Sequence, residues 1–178
     1  MRLSDRHRRF LLVEQGLHPF LLNVVINGLI AWLILRSQPA VPLWGDASMG
    51  IDLIATGILL PVLVCQIVSR VIDRQVRGEK VPPLETAVIP ATGLHHRSIT
   101  ARSGLLALAA TALYSGPLVA LLDAAGAQPV GVTDFVLFKA LWAGTLAALI
   151  SPPIAWWALC AASSANDARA DAAGANAT

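Results

Sequence analysis

The sequence predicts an all-α integral membrane protein of four transmembrane helices, arranged as two antiparallel hairpins with both termini cytoplasmic and a cytoplasmic loop between helices 2 and 3. Three observations carry this. Of 178 residues, 56% are hydrophobic and only 13% are charged, about half the charged share that hydrates an ordinary soluble domain. Four stretches between charged residues reach the roughly 20 residues needed to cross about 30 Å of hydrocarbon. The basic residues fall almost entirely on one side of those stretches, as the positive-inside rule demands. The mean hydropathy of +0.65 excludes disorder over most of the chain, and two cysteines are too few for a disulfide scaffold.

The first span is expected at 17–35, between Glu14 and Arg36. Residues 4–16 (SDRHRRFLLVEQG) read either as a short amphipathic helix on the membrane surface or simply as a positive-inside signal. A cleaved signal peptide is the weaker alternative, because the apolar run exceeds the usual h-region and no A-x-A site follows Leu35. The second span is expected at 49–69, with Asp52 at the interface. The connecting loop continues as helix to Gly78, where Pro82 and Pro83 forbid extension, and Thr92 or Ser98 caps the entry to the next span. The third span is expected at 103–122 and the fourth at 139–162. Residues 163–178 are small, polar and alanine-rich, and read as a flexible cytoplasmic tail.

Orientation follows from the arginines and lysines. Arg2, Arg6, Arg8, Arg9, Arg70, Arg74, Arg77, Lys80, Arg97, Arg102 and Arg169 lie on one side, against Arg36 and Lys139 on the other. Both ends and the central loop are therefore assigned to the cytoplasm. Eleven arginines against two lysines, with 30 alanines, point to a GC-rich bacterial genome and so to an inner membrane. Trp32 and Trp44 suit the outer interfacial belt, and Trp156 and Trp157 the inner one.

Polar residues inside apolar spans must be paired or hydrated, so they are the candidates for function. Asn23 and Asn27 are four apart and share one face of helix 1. On helix 2, Asp52, Thr56, Leu59, Leu63, Gln66, Arg70 and Asp73 alternate spacings of four and three, which makes one stripe. A short loop sets the two helices side by side, so Asn23 and Gln66 become expected hydrogen-bond partners across a polar seam of Asn23, Asn27, Thr56 and Gln66. Such a seam either passes a small solute or holds the helices together through amide bonds worth about 0.6 to 2 kcal/mol each; the absence of a charge at the bilayer midplane favours the second. Asp52 and Lys139 lie near the same membrane face and could form an ion pair between the hairpins. Pro61, Pro117, Pro152 and Pro153 interrupt the spans and are candidate hinges.

Small residues recur every fourth position on the later spans: Ala107, Thr111 and Ser115; Ala140, Gly144 and Ala148; Ala143, Ala147, Ser151 and Ala155. These faces of helices 3 and 4 suit close helix contact, within the chain, in a homo-oligomer or with a membrane-protein partner. Nothing points to catalysis, a metal or a cofactor. There is no G-x-S-x-G, H-E-x-x-H, phosphate loop or C-x-x-C, and the adjacent His95 and His96 point about 100° apart on a helix. A net charge of +2 gives no footing for nucleic acid. The expectation is a non-catalytic accessory or interaction subunit of a membrane system, in contact with the lipid bilayer. The alternative is a small homo-oligomeric transporter or channel for an ion or small polar solute, with the seam on helices 1 and 2 as its path.

Overall fold

A computed structural model describes residues 10–78, 80–84 and 88–175. The basic start, including Arg2, Arg6, Arg8 and Arg9, lies outside the described residues, so the surface-helix reading is met only from Phe10 onward. There the chain is already helical: a π-helical segment, Phe10–Leu17, leads into α1, His18–Leu35. Helix α2 is Met49–Arg77, α3 is Ile99–Ala110, α4 is Gly116–Ala124 and α5 is Val132–Ala175. A π-helical turn, Thr111–Ser115, joins α3 to α4 into one span. Four helices are long and apolar enough to cross a membrane: Val13–Leu35, Met49–Arg77, Ile99–Ala124 and Val132–Arg169. The chain is read as a membrane protein on that basis.

Local chemistry accounts for the boundaries that differ from expectation. The third span begins at Ile99, because Ser98 Oγ accepts the Ala101 N–H at 3.2 Å and caps the helix before Arg102. The last span begins at Val132, seven residues before Lys139. Asp134 stands in its first turn, where a carboxylate suits the helix dipole, and Lys139 is tolerated inside because it is ion-paired. Nor does this helix stop at Ala162 and give way to a flexible tail; it runs on to Ala175. Alanine favours helix strongly, and the buried Ser163 Oγ accepts the Leu84 N–H at 2.9 Å, which ties the extension to the loop after α2. Among the candidate hinges, helix continues through Pro61 and through Pro152 and Pro153. Only ahead of Pro117 does the register change. The Gly116 N–H reaches back five residues to the Thr111 carbonyl, a widened turn that relieves the crowding a proline ring imposes on the turn before it.

Helix α5 is the centre of the packing. Ala143, Ala147, Ser151, Ala155 and Leu159 on it are fully buried. Helix α1 lies along one side of α5: a Cβ placed on Gly144 would come within 2.5 Å of Val24 Cγ2 and 3.0 Å of the Phe20 carbonyl. Helix α2 lies along another side, with Leu53 and Leu60 in one apolar cluster with Leu146, Ile150 and Ile154. The third span packs on the far side of α2, where Gly57 leaves room for Ser115. It touches α5 through Tyr114, whose ring stacks on Trp142 and whose hydroxyl donates to the Trp142 carbonyl at 3.2 Å.

The order across the molecule is thus third span, α2, α5, α1, and the packing partners are not hairpin mates. Helices α1 and α2, expected side by side, both pack on α5 instead of on each other. The reason is the small-residue stripes: Gly144 and Ala140 admit α1 closely, whereas the facing sides of α1 and α2 carry bulky Leu22, Ile26, Leu59 and Leu63. At one end the loops after α1 and α4 are joined by reciprocal bonds between Val41 and Val130, over a cluster of Leu35, Leu43, Met49 and Phe135. At the other end Ile72, Val76 and Leu84 pack on Ala158, Leu159 and Cys160.

Gly144→Ala is expected to destabilise the protein by about 1 to 3 kcal/mol through overpacking against α1. Gly104→Ala, whose Cβ would meet nothing within 4 Å, is expected to be neutral or slightly stabilising. Thermal unfolding of both variants in the same detergent measures the difference.

Candidate functional site

Because α1 and α2 diverge from a common support, they leave a groove of about 750 Å³ with α5 as its floor. Its residues recur at helical spacing on both walls. On α1 and the segment before it they run from Glu14 and His18 through Leu22, Asn23, Ile26 and Asn27 to Ile30. On α2 they run from Asp52 through Thr56, Leu59 and Leu63 to Ile67 and Val68. Sixteen residues at about 1.5 Å each make either wall about 24 Å long, close to the thickness of a hydrocarbon core. The walls are mainly aliphatic. The polar groups form a line: His18, Asn23, Asn27 and Thr56 beside Ser151 and Lys139 from α5.

Three of the four seam residues, Asn23, Asn27 and Thr56, therefore line one cavity. Gln66 does not; Ile67 takes its place. The alternating four-and-three spacing assumes a period of 3.5, and a straight helix of 3.6 drifts about 20° per heptad, about 40° over the two heptads from Asp52 to Gln66. The expected bond between Asn23 and Gln66 is likewise absent. Asn23 Nδ2 donates to the Pro19 carbonyl at 2.9 Å and Asn27 Nδ2 donates to Asn23 Oδ1 at 3.2 Å, a ladder contained within α1. An amide four residues from another reaches it without the gap to α2 having to close.

Lys139 Nζ donates to Asp52 Oδ1 in an ion pair that joins α5 to α2 at one mouth of the groove. Lys139 is only 3% exposed and Asp52 30%, so the lysine depends on this carboxylate while the carboxylate also faces the groove. Its second oxygen, Oδ2, is enclosed and accepts no hydrogen bond. Asp52 lines a second cavity of about 220 Å³ as well, which continues past Ala31, Ser48 and Ile51 toward the loop after α1. Ser151 is fully buried, lines the groove floor, and its hydroxyl has no partner. In sequence Ser151 is one member of a small-residue stripe, and nothing there separates a serine that packs from one that faces a cavity.

The four candidate hinge prolines do not converge. Among them only Pro61 is wholly buried, and none lines the groove. The small-residue faces of the third and fourth spans are occupied within the chain, by α1 at Gly144, by α2 at Ala143 and Ala147, and by Gly57 at Ser115. No protein family, curated protein or solved structure matches this chain. The groove therefore has to be interpreted from its own chemistry.

Asp52→Asn leaves Lys139 buried without a counter-charge and is expected to cost about 2 to 4 kcal/mol. The double variant Asp52→Asn, Lys139→Met, which removes both charges, is expected to recover at least half of that loss. Equal losses in the single and double variants, measured by thermal or denaturant unfolding in detergent, would mean that the pair does not couple the two helices.

Proposed function

We propose that this chain is a non-catalytic subunit of a membrane system that receives one transmembrane helix of a partner protein in the groove between α1 and α2. The observation that carries this is the open groove of membrane-crossing length itself, whose aliphatic walls at Leu22, Leu59 and Leu63 are exposed and which the half-buried side chains of Asn23, Asn27 and Asp52 face. Asp52 is bonded to Lys139, and Ser151 lies twelve residues further along α5, about 18 Å away by helix rise. A lipid chain would cover the aliphatic walls but offers nothing to a hydroxyl or carboxylate. A helix with serine, threonine or asparagine facing the groove meets the half-buried Asn27 amide and the Asp52 side chain, while Ser151 stays enclosed in the floor, and polar contacts of this kind supplement packing in membranes. The partner sits at this groove and not at the small-residue faces, because those faces are already filled.

A photoreactive side chain at Leu63, on the groove wall, is expected to cross-link to one polypeptide in the native membrane. The same group at Leu113, strongly exposed on the third span, should give none. Ile26→Trp, at a half-exposed wall position, should fill the groove and abolish both the adduct and co-purification while leaving thermal stability unchanged. Lipid adducts alone at Leu63, or an adduct that survives Ile26→Trp, would reject the helix-binding reading.

The same line of polar groups supports a second reading, a homo-oligomeric transporter in which another copy closes the groove and a small polar solute passes Asn27, Thr56 and Asp52. It is distinguished by flux: Asn27→Leu would abolish solute uptake into vesicles without loss of expression.

The setting that suits this function is a bacterial plasma membrane with both termini and the 78–98 loop in the cytoplasm, supported by the distribution of arginine. Single cysteines at Asp46 and Thr92 report it. An impermeant maleimide added to intact cells is expected to label Asp46→Cys and spare Thr92→Cys; the opposite pattern would invert the topology.

A further inference from the structure

Arg102 lies in the first turn of α3, at the end of the molecule opposite the Asp52–Lys139 pair. It is 4% exposed, and neither its Nε nor its Nη1 has a hydrogen-bond partner. No carboxylate pairs with it among the described residues. Two further buried polar groups lie at this end: the Ser69 hydroxyl on α2, whose polar neighbour is the Cys65 thiol, and His95 Nε2 on the short 3₁₀ turn Leu94–His96, which has no partner. Cys65, one turn before Ser69, and His95 both lie within electrostatic reach of Arg102. Cys65 Sγ faces the Ile99 carbonyl at 3.9 Å, which sets this stretch of α2 against the first turn of α3, and the turn that carries His95 leads directly into that helix.

A buried guanidinium without a counter-charge costs several kcal/mol, and one placed at a helix N-terminus also faces the positive end of the helix dipole. The surroundings of His95 disfavour a second cation there. Burial lowers its pKa first, and His96 and Arg102 lower it further against an opposing hydrogen bond to the Pro90 backbone. The placement of His95 is built into the chain: Gly93 has φ +153°, and a Cβ there would come within 3.0 Å of His95 Nδ1.

We propose that Arg102, Ser69 and His95 form a binding site for a phosphate-type oxyanion, carried by a lipid headgroup or by free inorganic phosphate. Arg102 supplies charge and two N–H-bearing nitrogens, Ser69 supplies a hydroxyl, and His95 becomes a donor once an anion beside it favours its protonated form. The site is distinct from the groove and does not depend on what the groove holds.

The test uses the full chain in nanodiscs of phosphatidylcholine in chloride buffer. Tm is read before and after addition of millimolar inorganic phosphate, and again in discs where a fifth of the lipid is phosphatidylglycerol. A rise of about 5 °C or more with phosphate identifies the free anion; a rise only with phosphatidylglycerol identifies the headgroup. Arg102→Met is expected to be at least as stable as the wild type without either anion, because a buried charge has been removed, and to respond to neither. His95→Gln is expected to fold and to keep less than half the response. Absence of a response in the wild type to both anions would overturn the site, as would an undiminished response in Arg102→Met. So would a loss of stability in Arg102→Met that Glu79→Gln or Glu85→Gln reproduces, since that assigns the arginine to a carboxylate of the loop.

Discussion

Close approach to α5 is the constraint on which the remaining architecture depends. In a membrane, helices gain little from burying apolar surface, since lipid is as apolar as leucine; they associate where backbones come near enough for dense packing. Helix α5 permits this on two sides, through Gly144 toward α1 and through Ala143 and Ala147 toward α2. A single helix with two small-residue faces becomes a support with a neighbour on each. The third span is then left to pack on α2, with Gly57 and Ser115 providing the corresponding close contact.

The groove is a consequence of that support. Two helices seated on different faces of a third diverge, and their facing residues are too bulky to draw them together. The polar groups respond in different ways. Asn23 and Asn27 are satisfied along their own helix, Asp52 and Lys139 are satisfied across the floor, and Ser151 and one oxygen of Asp52 are not satisfied at all. Arg102, at the other end, is a fourth case: a buried charge with Nε and Nη1 unpartnered. Enclosed polar atoms without partners are few in native structures, and each calls for a physical account. Among the described residues they include atoms beside the groove, the Arg102 end of the molecule, and the Thr111 and Ser115 hydroxyls where the third span meets α2.

Much of this could be read in advance. The spans, the Ser98 cap, the helical continuation to Gly78 and the residues Asn23, Asn27, Thr56, Asp52 and Lys139 were all visible as runs, caps or isolated polar positions. Gln66 falls outside the cavity because a difference in period of about a tenth of a residue, negligible over one turn, amounts to about 40° over the four turns from Asp52. Ser151 and Arg102 do not stand out as candidate site residues in the sequence for another reason. A serine in an alanine-rich stripe and an arginine at a span boundary are ordinary in sequence, and only enclosure distinguishes them.

The sequence by itself determined that four segments are long and apolar enough to cross a bilayer, where the first begins and ends to within a few residues, and how the basic residues are distributed between the segments, but not the start or the long C-terminal extension of the last helix. Hydrocarbon thickness and the cost of burying charge act on each segment separately, so no knowledge of neighbours is needed. Only the tertiary structure decided which helices touch. Several faces carried small residues at equivalent spacing, and the choice among them rests on how pairs of surfaces interlock, a property of two segments together that neither one encodes alone.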